Sequence, residues 1–159
     1  VALMALNASV KIMGQRGARE ELLDDFFLLP EMNVMRENGL RANDFVTEIV
    51  VPTPKPNTKG IYIKVRERDA IDFAMASVAV NMTMSGNTCQ EASVVLGGVA
   101  PAPWRVPDVE QFLQGKQITE TVAAQAAQMA LQEADPMTDN EYKVEMTQNI
   151  VSQAIMDMA

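Results

Sequence analysis

The chain has 159 residues, of which 48% are hydrophobic and 21% are charged, as is typical of a soluble globular domain. Its formal net charge of −8 excludes a broad attractive field for a phosphate backbone, so we expect no nucleic-acid partner. No apolar run is long enough to span a membrane. The chain has no His and one Cys, so no metal ligands and no catalytic residues are predicted.

The single cysteine and the N-terminus indicate where the chain belongs. Cys89 stands in an expected strand and is interpreted as a small core residue, and the absence of a disulfide framework agrees with a reducing, cytoplasmic compartment. The first residues, VALMALNASV, have neither a basic region nor a cleavage pattern, so a signal peptide is not predicted. We expect the chain to start inside a longer polypeptide or to lack earlier residues.

The first hundred residues contain short β-like runs separated by Gly, Pro and Asn, and longer Ala-, Gln- and Met-rich helical patterns follow. Strands followed by helices predict an α+β fold. The segment ASVKIM alternates as a strand, GQRG is a turn, and AREELL can return as the hairpin partner. Residues 27–44 have weak periodicity and are predicted to form a loop that can include one helical turn.

Four later segments have the pattern of β-strands: DFVTEIVVP, GIYIKVRER, AMASVAVNMTM and TCQEASVVLGGVA. The loop TPKPNTKG separates the first from the second, and its prolines keep it out of a central ladder. The order of these segments predicts an antiparallel meander of three to four strands.

Three helices are predicted after the strands. The first has Pro107 at its first position and Gly115 as its stop, and the second runs from about residue 119 to 133. The third follows Thr138 and Glu141, which have the spacing of a capping box. Each helix has one apolar face, so we predict a C-terminal three-helix bundle, with packing against the sheet as the alternative.

Two other patterns are interpreted as structural features and not as functional sites. Adjacent carboxylates such as Asp24 and Asp25 have no visible partner that would separate their pKa values, so they are interpreted as solvated faces or helix caps. Gly97 and Gly98 match neither a P-loop nor a dinucleotide fingerprint. They indicate a strand end where two backbones approach closely.

The segment KVRERDAIDFAMASV, which begins at Lys64, carries a dense run of charge between two strands. Strand alternation places Tyr62 and Lys64 on one face, where a cation beside an aromatic ring can reach an anionic or carbonyl-rich ligand. Arg68, Asp69 and Asp72 can pair locally in the turn that follows. Spacing alone favours an exposed, salt-bridged turn over a binding site.

These residues also carry a family resemblance. The segments GIYIKVRERDAIDFAMASVAV and ASVVLGGVAPAPWRVPDVEQFLQG, preceded by DDFF and DFVTEIVVP, resemble the FAD-binding (medium) subunit of the molybdenum hydroxylases. That family includes the carbon monoxide dehydrogenase medium chain and the xanthine and aldehyde dehydrogenases. The motifs span nearly the whole chain in the family order but match only the later part of the subunit. The Gly-rich loop that cradles the pyrophosphate in the family, and its Gly-Asn segment beside the flavin, are not among them.

The resemblance implies a division into two parts. Residues 1–43 are similar to the tail of the second, FAD-binding α/β subdomain. Residues 44–159 are similar to the C-terminal subdomain, with its sheet over 44–100 and its helices over 106–159.

The resemblance also implies a cofactor and site residues. FAD is expected, shared with an N-terminal part, with Val46 and its neighbour Thr47 near the isoalloxazine and the Lys64 ammonium beside the flavin ring. A cation there would stabilise the reduced, anionic flavin electrostatically. The Asp72-Phe73 pair of the family supports the Lys64 strand.

The implied function is that of a subunit which is not active alone. Molybdopterin would lie on a large partner subunit and the iron–sulfur clusters on a small one, and FAD would pass their electrons to an acceptor. One alternative is a non-enzymatic protein-interaction module derived from this domain. Another is a stand-alone small-molecule-binding α+β domain, which would need a closed pocket of its own. The sequence predicts neither the substrate nor the acceptor.

Overall fold

The computed structural model describes residues 1–159 and contains seven strands and five helices. The strands are β1 (Ser9–Gly14), β2 (Gly17–Leu22), β3 (Phe45–Val50), β4 (Thr58–Val65), β5 (Ala76–Ser85), β6 (Thr88–Gly97) and β7 (Trp104–Arg105). The helices are α1 (Ala2–Ala5), α2 (Leu23–Phe26), α3 (Pro107–Leu113), α4 (Glu120–Ala130) and α5 (Tyr142–Met156). None of these helices combines the length and the apolarity that crossing a bilayer requires. The α+β class is confirmed.

The first sheet has the order β2-β1-β3, and both of its pairings are antiparallel. The predicted hairpin of β1 and β2 is confirmed, with Gly14 opposite Gly17 at its turn. The strand β3 pairs with β1 and not with β4, so its expected place in the meander was wrong. Pro52, Pro54 and Pro56 explain the difference, because a segment without these amide donors cannot continue a ladder from β3 into β4.

The second sheet is a continuous antiparallel meander in the order β4-β5-β6-β7. Its fourth strand is the two-residue β7. The two central strands are ten residues long and pair along their length, with Val80 opposite Val94. Strand β5 is buried on both faces over most of its length and β6 is buried on both faces from Ser93 onward, which explains why these parts are nearly continuously apolar.

One face of this sheet carries the three C-terminal helices. Helix α3 packs against β6, helix α5 packs against β5, and α4 packs between α3 and α5. Their buried residues share one core with the strand residues that point the same way: Val78, Val80, Met82, Val94, Leu96, Val109, Leu113, Ala123, Ala126, Val151, Ala154 and Ile155. The predicted three-helix bundle is therefore corrected to a helical layer. The helices pack on the sheet because its face presents large apolar side chains that must be buried. Helix α4 buries only alanines, so it offers little apolar surface for the core of a separate bundle.

Local sequence signals predicted the starts of some helices but not of all. Pro107 opens α3 as predicted, and Thr119 caps α4 by accepting a 3.3 Å hydrogen bond from the Val122 amide. The predicted capping box at the third helix was wrong, because Glu141 is the N-cap of α5 in helical conformation and no side chain caps that end. Asp139 has φ 67°, and this left-handed residue turns the chain between Thr138 and Glu141.

The other face of the second sheet carries the N-terminal unit, which we define as residues 1–50. Its buried side chains form a second core together with Ala79 of β5 and Val95 of β6: Met4, Ala5, Ala8, Val10, Ile12, Leu23 and Phe26. The loop over residues 27–44 is confirmed and contains turns and bends. The boundary between residues 43 and 44 stays a prediction.

Asp44 closes that loop onto the first sheet. Its Oδ2 atom accepts hydrogen bonds from the Arg41 amide at 3.0 Å and from Arg19 Nη1 at 2.7 Å. The Arg41 amide and the Arg19 guanidinium hold the pKa of the Asp44 carboxyl below its ordinary value. This arrangement needs a glycine at position 14, because a Cβ there would lie 2.0 Å from Asp44 Oδ1.

We expect Gly14→Ala to displace the Asp44 carboxylate and to lower the free energy of unfolding by about 1–3 kcal/mol, as overpacking does. Gly39→Ala is the matched control, because its Cβ would meet its nearest neighbour at an ordinary 3.7 Å. The control should change stability by less than about 0.5 kcal/mol. Urea unfolding measures both variants, and equal effects would contradict the role assigned to the Asp44 contact.

Candidate functional site

Lys64 lies near the end of β4, on the sheet face that carries the N-terminal unit. Ile61, Ile63 and Val65 turn toward the helical core, and Tyr62 and Lys64 point the other way and are exposed. Tyr62 is paired with Ala79, whose side chain belongs to the second core, and Lys64 with Ser77. Because directly opposed residues share a face, this confirms the predicted alternation.

The Lys64 ammonium has no hydrogen bond and no ion pair within the chain. Its charge acts on Asp72, where it adds a small contribution that lowers the carboxyl pKa. Tyr62 beside it keeps 47% of its surface exposed. An unpaired cation next to an open aromatic side chain is suited to an anionic or electron-rich planar ligand.

The charged segment after β4 forms local pairs, of which the one between Arg68 and Asp72 was predicted. Arg66 pairs with Asp69, and Arg68 makes a two-pronged contact with Asp72 at 3.0 and 2.9 Å. These pairs hold a turn that leaves Phe73 99% exposed. The Arg68 guanidinium is the main reason why the pKa of Asp72 lies below its ordinary value of 3.8.

Val46 and Thr47 lie on β3, in the other sheet. Val46 is opposite Ile12 and is 38% exposed, so it offers apolar surface. The Thr47 hydroxyl donates a 3.1 Å hydrogen bond to the Lys11 carbonyl and is thereby used within the sheet. These two residues and Lys64 lie in different sheets, and no hydrogen bond joins them. A shared role for them stays a prediction.

The glycine pair at the end of β6, Gly97 and Gly98, lies against the end of the charged segment. Gly98 has φ 73°, and a Cβ there would lie 3.0 Å from the carbonyl oxygens of Ala74 and Met75. A Cβ on Gly97 would lie 2.4 Å from Val1. The expected close approach of backbones is confirmed, and it holds the end of the charged segment against β6.

Arg105 is the residue that sequence reasoning missed. Its guanidinium donates to the Met4 carbonyl at 2.6 Å, to Asn7 Oδ1 at 2.7 Å, to Asp24 at 3.0 Å and to Glu110 at 3.4 Å. We call these five residues the Arg105 cluster. The cluster connects the N-terminal unit to α3. Met4 and Asn7 lie ninety-eight or more positions from Arg105, so these contacts leave no local signal in the sequence.

Glu110 completes this cluster as a largely buried carboxylate. Its Oε1 atom accepts a 2.8 Å hydrogen bond from the Val94 amide. Burial raises the pKa of the Glu110 carboxyl above its ordinary value, and the Val94 amide and Arg105 oppose that shift. The cluster thus ties the sheet, α3 and the N-terminal unit at one place.

A titration tests the charged turn. We expect NMR to give Asp72 a pKa below 3.8, and Arg68→Gln to raise it toward that value. Since the folded-state pKa is lowered, the stability that Asp72 contributes is present above pH 3.8 and is lost as pH falls through the folded value. Arg66→Gln is the control and should shift Asp72 less, because Arg66 pairs with Asp69. A larger shift from the control would contradict this assignment.

Comparisons with known proteins place the chain in a family. Residues 61–158 match the CO dehydrogenase flavoprotein C-terminal domain. The glyceraldehyde dehydrogenase medium chain of Sulfolobus acidocaldarius is 29% identical, with 100% of this chain and 56% of the relative covered. The carbon monoxide dehydrogenase medium chain of Hydrogenophaga pseudoflava is 31% identical, with 96% of this chain and 52% of the relative covered.

The solved structures agree. One of them is a structure of carbon monoxide dehydrogenase from Hydrogenophaga pseudoflava that lacks the Mo-pyranopterin moiety of the molybdenum cofactor. One of its chains matches this chain with a TM-score of 0.86 and 30% sequence identity. The match covers 96% of this chain and 53% of that chain. This chain thus spans about half the length of the relatives it matches, and the match is to their C-terminal half. These relatives are medium or FAD-binding subunits of molybdenum hydroxylases. The chain therefore belongs to the CO dehydrogenase flavoprotein C-terminal domain family.

Proposed function

We propose that this chain helps hold FAD in the FAD-binding subunit of a molybdenum-dependent hydroxylase or dehydrogenase. In that assembly FAD passes electrons from iron–sulfur clusters on one partner subunit to an external acceptor, and another partner subunit carries molybdopterin. The observation that carries the proposal is the family match over residues 61–158. Lys64 supports it, since it is an unpaired cation on the face that also bears the N-terminal unit.

The residues present fit the ring end of FAD. Lys64 offers an ammonium that needs a partner, and Val46 offers an exposed aliphatic surface. Thr47 is proposed as the neighbour that fixes this strand, since its hydroxyl bonds to Lys11. FAD supplies reversible electron uptake when bound. The role of Lys64 would be to favour negative charge near the ring, and that of Val46 to exclude water from it.

The starts of the three C-terminal helices do not fit the pyrophosphate end of FAD. A pyrophosphate needs backbone amides at a helix N-terminus or a comparable nest. The first turns of α3, α4 and α5 instead carry acidic side chains, which would repel it: Asp108, Glu110, Glu120 and Glu145. We therefore propose that the FAD site is shared with a polypeptide equivalent to the N-terminal half of the relatives.

The alternative is a non-enzymatic interaction module derived from this domain. The observation that favours it is the exposure of two large apolar side chains, Ile71 and Phe73, which are both essentially uncovered. Paired apolar residues held on a salt-bridged turn are suited to contact with another protein. This alternative gives Lys64 no role in binding a flavin.

Flavin fluorescence separates the two functions. We expect no stoichiometric FAD binding by the chain alone, and one FAD per chain when it is co-expressed with the N-terminal half of the Hydrogenophaga pseudoflava medium chain. Lys64→Ala should weaken that binding about tenfold or more, as expected for the loss of a charge-assisted contact.

Lys59→Ala is the matched control for this experiment. Lys59 lies on the same strand but reaches toward the helices, where its Nζ donates to the Met158 carbonyl at 3.3 Å. Its loss should leave FAD affinity unchanged. Tight binding by the chain alone would contradict the shared site. Equal affinities of the Lys64 and Lys59 variants would favour the interaction module.

A further inference from the structure

Strand β3 is an edge strand of the first sheet, and its outer edge is open. The sheet has the order β2-β1-β3, so β3 pairs with β1 alone. Residues 45–50 make no other backbone hydrogen bond, and β1 is the element that packs along them. The outward N–H and C=O groups of such an edge can pair with a further strand. Strand β3 therefore offers a surface for the addition of a strand from another polypeptide.

The other three sheet edges have features that oppose strand addition. Strand β2 carries a charged Arg-Glu-Glu run at positions 19–21, β4 carries Lys59 and Lys64, and β7 has only two residues. Charged side chains, Lys above all, and short length are common protections of an edge. Strand β3, with the sequence FVTEIV, has neither Lys nor Pro. Its one charged residue, Glu48, is already paired with Lys11 of β1 at 2.7 Å.

The side chains of β3 extend the second core without being covered. Ile49 is opposite Val10 and Val46 is opposite Ile12, so each pair shares one face of the sheet. Val10 and Ile12 are buried in the second core, whereas Ile49 is 54% exposed and Val46 is 38% exposed. The apolar layer thus stops at β3 with two aliphatic side chains partly open to water. A further strand with apolar side chains on this face would bury Ile49 and border Val46.

The comparisons indicate which polypeptide can supply that strand. This chain spans 52% of the carbon monoxide dehydrogenase medium chain of Hydrogenophaga pseudoflava, and the match is to the C-terminal half. A polypeptide equivalent to the N-terminal half is also what the proposed FAD site requires, because the helix starts of this chain are acidic. A second copy of this chain would pair the edge but would bring the same acidic helix starts. The N-terminal half is therefore the better candidate for the occupant.

We propose that the open edge of β3 receives an extended strand from the polypeptide equivalent to the N-terminal half of the relatives. The added strand pairs with the outward backbone groups of residues 45–50 and places apolar side chains over Ile49. Because Val46 lies on the same strand, this partner borders the side chain assigned to the flavin ring. The inference rests on the proposed function for the identity of the partner, and it adds the surface through which that partner binds.

Hydrogen exchange tests the added strand without reference to FAD. The intact 159-residue chain is co-expressed with the N-terminal half of the Hydrogenophaga pseudoflava medium chain, and the complex is purified and freed of FAD. Amide exchange is followed by mass spectrometry in the complex and in the chain alone. We expect residues 45–50 to exchange about tenfold more slowly in the complex, and residues 17–22 at the opposite edge to keep their rates. Unchanged exchange over residues 45–50, or no complex at all, would overturn the proposal.

A matched pair of substitutions tests the same edge. Ile49→Lys places a charge beside the open edge and should lower the amount of N-terminal half that co-purifies with the chain by about tenfold. Leu22→Lys is the control, because Leu22 is 50% exposed and lies on the opposite edge strand of the same sheet. The control should co-purify as much of the partner as the parent chain does. Equal losses in the two variants would overturn the assignment to β3.

The outcomes separate this inference from the proposed function. A complex that binds FAD while its β3 amides stay unprotected would overturn the added strand and leave the proposed function in place. A complex with protected β3 amides that binds no FAD would support the added strand and contradict the proposed function. A dimer of this chain that protects β3, and that persists in the presence of the N-terminal half, would assign the edge to a second copy and overturn the proposal.

Discussion

The fold depends on burying both faces of strand β5 and of the second half of β6. Val78, Val80 and Leu96 require the helices on one side, and Ala79 and Val95 require the N-terminal unit on the other. Removal of either cover would expose apolar strand surface at roughly 25 cal/mol per Å². The sheet therefore separates two environments. On one side the helices cover an apolar core, and the other side remains partly open beside Tyr62 and Lys64.

The Arg105 cluster fixes the orientation of the N-terminal unit on that open side. Hydrophobic contact between Ala79, Val95 and the second core has little directional preference, whereas a guanidinium has a fixed donor geometry. Its donors reach α1, Asn7 in the turn after it, α2 and α3 at once. The cluster thereby holds the N-terminal unit, which includes β3, in one orientation on the sheet that carries Lys64.

Much of the fold could be predicted from the sequence, because its signals are local. The hairpin of β1 and β2, Pro107 at the start of α3 and the alternation around Lys64 all depend on neighbouring residues. The placement of β3 and the helical layer could not be predicted, because they depend on which distant surface offers the better partner. The same is true of the site. The proposed role of Lys64 follows from the family pattern, whereas the Arg105 cluster is assembled from segments far apart in sequence.

Whether Lys64 faces the flavin is tested most directly by a crystal structure of this chain assembled with FAD and the N-terminal half of the Hydrogenophaga pseudoflava relative. We expect the Lys64 ammonium within about 4 Å of a polar atom of the flavin ring, the reach of an ion pair. We also expect Val46 in contact with the ring. A flavin bound elsewhere, with Lys64 open to solvent, would contradict the assignment of this sheet face to the cofactor.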